Sequence, residues 1–242
     1  MPIDLTWDAA VRAYWTGRDL QAQRQIEAGR ADAGTRGAVT GGKHLDPMRD
    51  AVAELFRNAE GIDFDIRTSG KLTLPGYYRR TKDWDLIVLY RGVLVAAIEF
   101  KSQSGSFGNN FNNRTEEAIG NAVDIWRAYQ EGYLGTVKPW LAFVMVLEKT
   151  PVSTAIQRTA PALFPTDPIF NDTSYLDRYR ILLRRLLHEQ QYDAAVVAAT
   201  EQGQGIYDEP EFELSFANFG AAIKGRIEYI RALPDNAFDS GH

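Results

Sequence analysis

Asp85-Leu86-Ile87-Val88-Leu89-Tyr90-Arg91-Gly92-Val93-Leu94-Val95-Ala96-Ala97-Ile98-Glu99-Phe100-Lys101 is the stretch whose reading decides the fold. Two apolar runs, Leu86 to Tyr90 and Val93 to Ile98, are separated by a Gly-containing turn, which predicts a hairpin of buried strands. Side chains alternate faces along a strand, so Glu99 and Lys101 point one way and Phe100 the other. Pairing the strands across the turn brings Asp85, at the start of one, beside Glu99 and Lys101, at the end of the other. Two carboxylates and an amine then converge at one end of the hairpin.

That trio suits metal-dependent phosphodiester cleavage. Two carboxylates offer the hard oxygen ligands that Mg²⁺ prefers. Such a metal lowers the pKa of an attacking water and stabilises charge on the transferring phosphate. A neighbouring lysine orients or deprotonates the water. The competing reading is a solvated Glu-x-Lys pair at a strand edge. Against it, Lys101 is the only one of the seven lysines with an acid two places before it, and the pair ends an apolar run. Asp83 competes with Asp85 because it shares a strand face with it; Asp85 is preferred because it adjoins the apolar run.

Outward from the hairpin, the spacing predicts a helix over residues 5–30, a Gly-rich connection over 29–42, and a helix from Asp46 to about Asn58 with Pro47 at its first position. Residues 64–78 hold β-type stretches broken by Gly70, Pro75 and Gly76. After the hairpin come a loop over 102–113, a helix over 114–131, a strand over 140–147, a helix over 175–190, a strand over 194–199 and a terminal helix over 217–233. Helix, three strands, helix and strand make an α/β core around a mixed central sheet flanked by helices. This is the order of PD-(D/E)XK nucleases, whose site falls on the second and third strands.

Composition bounds the function. The 242 residues suit one domain: a helical arm and Gly-rich loop over 1–42, a core over 43–200 and a C-terminal helical extension over 201–242. With no cysteine, disulfides and thiolate zinc sites are excluded. The three histidines, His44, His188 and His242, are too far apart in sequence to suggest a histidine metal nuclease. No run approaches a membrane span and no signal core opens the chain, so a cytoplasmic protein with no membrane partner is expected. The net charge of −5 hides two stretches without acids, Arg67 to Lys82 and Lys101 to Arg114, on either side of the carboxylates. Arg79, Arg80 and Lys82 in the first are candidate contacts to a DNA backbone, against the plainer reading of a solvated charged face.

Gly37 to Lys43 nearly spells a phosphate-cradling loop, but His44 stands where a hydroxyl should ligate Mg²⁺ and no buried strand precedes it. Nucleotide hydrolysis is therefore disfavoured; Arg36 and Lys43 are instead candidate contacts to a DNA backbone, with an ordinary flexible linker as the other reading. The loop after Lys101 carries Gln103, Asn109, Asn110, Asn112, Asn113 and Arg114. Asn and Gln can bond adenine, and Arg guanine, in the major groove, so these six are expected to read bases. An ordinary turn-rich loop is the alternative.

Four stretches, Arg36 to His44, Thr81 to Leu86, Glu99 to Ser102 and Phe107 to Glu117, resemble the XhoI family of type II restriction endonucleases. The resemblance implies a Mg²⁺-dependent homodimer acting on double-stranded DNA at the palindrome CTCGAG. It would cut after the first C to leave 5′ overhangs and be paired with a protective methyltransferase. It assigns Asp85 and Glu99 to the metal and Lys101 to the water. Trp84 stands where such nucleases often have proline. A glutamate from the helix before the sheet often joins the set; Glu54 is the candidate, with a solvent-facing helix residue as the other reading. Rival functions are a structure-selective repair or recombination nuclease of the same fold and a catalytically silent DNA-binding protein.

Overall fold

The structure, a computed structural model, describes residues 7–27, 43–158 and 162–239. Its centre is the expected hairpin. Strand β4 (Leu86–Tyr90) runs antiparallel to β5 (Val93–Gln103), joined through Arg91 at φ 50° and Gly92 at φ 80°. Two consecutive residues at positive φ match the right-handed twist of the flanking strands, so a two-residue turn suffices.

The pairing slips once. Val88 faces Ala96 but Leu89 faces Leu94, leaving Val95 as an extra residue in β5. This bulge resets the alternation. Val93, Val95, Ala96, Ile98 and Phe100 join one core, while Leu94 and Ala97 join the other. Alternation continued from Ala97 turns Glu99, Lys101 and Gln103 toward the second core.

Around the hairpin a six-stranded mixed sheet is ordered β1-β4-β5-β6-β7-β8. Its other members are β1 (Asp65–Arg67), β6 (Trp140–Glu148), β7 (Ala194–Thr200) and β8 (Tyr207–Asp208). β5, β6 and β7 are parallel, and the outer pairings are antiparallel. β6 and β7 are buried on both faces, which is why they read as unbroken apolar runs.

Helices cover both faces. One carries α1 (Trp7–Glu27), α2 (Asp46–Arg57) and the terminal helix α5 (Phe216–Ala232), through Val11, Val52, Phe56, Phe219 and Ile223. The other carries α3 (Phe107–Gln130) and α4 (Tyr175–His188), through Ala118, Ile125, Tyr179 and Leu183. A capping box of Ser174 and Asp177 starts α4. None of the described helices is long and apolar enough to cross a membrane.

One expectation needs correction. Residues 107–113 are not a loop: α3 begins at Phe107, seven residues ahead of the expected start. The hydrophobic anchors Phe107 and Phe111 pack on Tyr175 and Tyr179 of α4, with ring centroids 5.8 and 5.1 Å apart. Gly108 also lets the Tyr175 hydroxyl come close, since a Cβ there would meet it at 2.9 Å. Residues 64–78 carry the expected β-type stretches, one in the central sheet and one outside it. β2 (Thr73–Pro75) and β3 (Thr81–Asp83) pair as a separate two-stranded sheet. Arg36, the Gly-rich connection and His242 lie outside the described residues, as does the side chain of Lys43.

Candidate active site

The register carries β4 and β5 past the pair Leu86 and Ile98, and the next residues back and forward are Asp85 and Glu99. Asp85 is fixed there by its own backbone contact: its Oδ2 accepts the Phe100 N–H at 2.7 Å. Glu99 is only 2% exposed. A carboxylate so buried needs charged partners, and it has two. Lys82 Nζ donates to Oε2 at 2.8 Å, and Lys101 Nζ contacts Oε1. Lys82 comes from β3; it also donates to the Asp83 carbonyl at 2.9 Å and lies 4.6 Å from the Trp84 ring centre.

The electrostatics follow from this packing. Burial and the neighbouring Glu99 charge raise the Asp85 pKa. Burial also opposes charge on Glu99, but Lys101 and Lys82 outweigh it and hold its carboxyl below the usual range. Burial acts against the Lys101 ammonium as well, yet Glu99 overrides it and the pKa is raised. Lys101 is therefore a firmly charged donor in the DNA-free protein. The donor set fits a hard divalent cation: two carboxylates are near enough for the charge of Glu99 to raise the Asp85 pKa, which a shared cation would relieve. Both Glu99 oxygens already hold an ammonium, so a metal at Glu99 would sit against the charge of both lysines.

The cluster extends to a residue not singled out in the sequence. Glu117 on α3 reaches Lys101, Oε2 to Nζ 3.9 Å, and the same oxygen pairs with Arg114 at 2.7 Å. Arg114 and Glu117 stand three apart, a spacing that makes neighbours on a helix. Lys82 was read as a backbone contact; its place on Glu99 had no local signal, because it depends on how β3 meets β5.

The other candidates scatter. Glu54 is on α2, on the opposite face of the sheet from Glu99, with its carboxylate 2.6 Å from Arg57. Gln103 is buried and accepts the Tyr179 hydroxyl proton, so it is not presented to a ligand in this structure. Arg79 is tied to α3 through Asp124 and Asn121, each at 2.8 Å. Arg80 is exposed. Asn109, Asn112 and Asn113 are exposed on the first two turns of α3, and Asn110 is partly buried. Asp83 is exposed and its carboxylate accepts the Thr73 hydroxyl, turned to the small sheet while Asp85 bonds to β5.

Comparison with known proteins bears on the whole chain. The family model described as Restriction endonuclease XhoI matches residues 24–209. The type II restriction enzyme BstVI of Geobacillus stearothermophilus is 40% identical over 217 residues, 86% of this chain and 97% of its own. The type II restriction enzyme XhoI of Xanthomonas vasicola is 42% identical over 184 residues, 73% of this chain and 72% of its own. The type II restriction enzyme AbrI of Azospirillum brasilense is 47% identical over 148 residues, 60% of this chain and 66% of its own. No solved structure gives a significant match.

Proposed function

The chain belongs to the XhoI family of type II restriction endonucleases, and from that premise we propose how it cuts DNA and where. The substrate is double-stranded DNA, the cofactor Mg²⁺ and the site CTCGAG, cut after the first C to leave 5′ overhangs. The whole chain acts as one nuclease domain, in the cytoplasm, as a homodimer whose two-fold axis matches that of the palindrome. A methyltransferase of the same specificity protects the host.

The observation that carries this reading is the Asp85 carboxylate held against the Phe100 N–H, beside Glu99 and Lys101. Asp85 and Glu99 would hold Mg²⁺, which when bound supplies positive charge against the scissile phosphate and acidifies the attacking water. Lys101, charged and anchored on Glu99, orients that water and offsets the negative charge that builds on the phosphate. The hard, buried β5 keeps these groups in register while DNA binds. Base reading is assigned to Asn109, Asn112, Asn113 and Arg114, carried on the start of α3 directly after the strand that bears Glu99 and Lys101. An apolar groove between α3 and α4, lined by Phe111, Ile119, Val123, Ile181 and Leu182, favours that side for dimer contact.

The test is digestion of a sequenced plasmid with purified protein and Mg²⁺, followed by mapping of the ends. Discrete fragments ending in four-base 5′ overhangs at CTCGAG support the reading. Discrete cutting elsewhere removes the assigned site, and cutting confined to branched DNA favours a structure-selective nuclease instead.

A further inference from the structure

We propose that Lys82 holds the metal position on Glu99 in the DNA-free protein and releases it when DNA binds, so that metal and DNA bind cooperatively. The inference rests on the reading of Asp85 and Glu99 as metal ligands and goes beyond it. Two ammonium groups share the single Glu99 carboxylate, one on each oxygen. They are not equivalent. Lys101 sits two residues from Glu99 on the same buried strand, and Glu117 is a second acidic neighbour at 3.9 Å. Lys82 comes from the two-stranded sheet of β2 and β3, outside the central sheet, and its acidic ion-pair partner is Glu99 alone among the described residues. Lys82 is thus the ammonium whose one acidic partner, among the described residues, is the proposed metal ligand.

Its alternative partner is chemically defined. β3 follows a turn bearing the exposed Arg80, and Lys71 ahead of β2 is exposed as well, so the small sheet that supplies Lys82 carries further basic side chains. A phosphate of the duplex offers Lys82 an anion to replace Glu99. A cation beside Glu99 is repelled by Lys82 while it stays and is not once it has moved. DNA therefore strengthens metal binding, and by linkage the metal strengthens DNA binding by the same factor.

The experiment is calorimetric titration of Mg²⁺ alone into the DNA-free protein, comparing wild type, Lys82→Met, Lys82→Arg and Glu99→Gln. Thermal melts check folding, and Lys82→Gln replaces Lys82→Met if the latter does not fold. Removing a unit charge a few ångströms from the site should tighten Mg²⁺ binding by at least about tenfold, whereas Lys82→Arg should not tighten it. With Ca²⁺ in place of Mg²⁺ and a duplex present, wild type should gain more affinity than Lys82→Met. Equal or weaker binding by Lys82→Met, with binding still lost in Glu99→Gln, overturns the role of Lys82 and leaves the metal site standing. Undiminished binding by Glu99→Gln sinks the metal site itself and the proposal with it.

Discussion

Glu117 Oε2 stands 3.9 Å from Lys101 Nζ and 2.7 Å from Arg114, so one carboxylate oxygen on α3 is shared by the lysine of the proposed cutting site and an arginine proposed to read bases. Glu117→Gln keeps the shape and removes the charge. It should slow cleavage of the preferred site by roughly two- to fivefold, the scale of a partly exposed ion pair, and should leave the melting temperature nearly unchanged. Combined with Arg114→Ala, the loss should be less than the product of the single losses. Independent, multiplying effects in single-turnover rates would show that the two residues do not act through Glu117.

Asp83 and Asp85 lie two apart, but only Asp85 bonds to β5. Asp85→Ala should reduce the cleavage rate by roughly a thousandfold or more while the duplex still binds. Asp83→Ala loses an exposed bond to Thr73 and should cut at close to the wild-type rate. Gel-shift and cleavage assays on both variants decide the matter, and the reverse pattern would move the metal site to Asp83.

Tyr179 donates to the buried Gln103 carbonyl from across the α4 interface. Tyr179→Phe leaves that oxygen without its donor, at a cost of about 1–2 kcal/mol. Urea unfolding should register the loss, and the mapped cleavage site should not change. A changed site would return Gln103 to the base-reading group.

The buried ring of His44 meets Ser102 Oγ at 3.1 Å, and its Nδ1 has no hydrogen-bond partner among the described residues. Burial first, and then the Arg18 charge, lower its pKa from 6.5 to about 4. Because the folded value is the lower one, the unfolded chain binds this proton more readily. The His44 contribution is complete above about pH 6.5, declines as pH falls toward about 4 and is flat below that. The ceiling is about 3 kcal/mol, from roughly 1.4 kcal/mol per unit. Unfolding free energy measured between pH 4 and 7 should fall less steeply in His44→Gln than in wild type. Parallel curves would assign the acid sensitivity to other groups.

What was legible in the chain depended on whether a signal was local. The β4–β5 hairpin and the meeting of Asp85 with Glu99 and Lys101 follow from two apolar runs and one turn, and they hold. The bulge at Val95, which turns Glu99 toward α3, left no mark because valine and alanine suit either face. The start of α3 was hidden by composition: Gly108 and four asparagines favour a turn, but packing of Phe107 and Phe111 on α4 outweighs that local preference. Two of the basic residues flanking the site found acids far away in sequence, Arg79 in Asp124 and Lys82 in Glu99. A stretch without acids is therefore not a stretch without acidic neighbours.

Asp124 shows what such a neighbour contributes. It is 4% exposed, and it accepts the N–H groups of Tyr77 and Tyr78 at 2.9 and 2.8 Å and Arg79 Nε at 2.8 Å. Burial opposes its charge, but these three donors hold its pKa below the usual range. The carboxylate thereby pins the turn between β2 and β3 to α3, and that turn leads into β3 and Lys82. Asp124→Asn should cost about 2–3 kcal/mol, since charge-assisted bonds are lost while Arg79 keeps its charge. Gly76→Ala attacks the same joint from the other side, because a Cβ would meet Asp124 Oδ2 and the Arg79 carbonyl at 2.6 Å each. Both variants should loosen the small sheet before the central one, seen as faster amide exchange over 73–83 with little change in β5 and β6. Uniform exchange across the sheet would mean that this joint is not a separate unit and that Lys82 is held by the core itself.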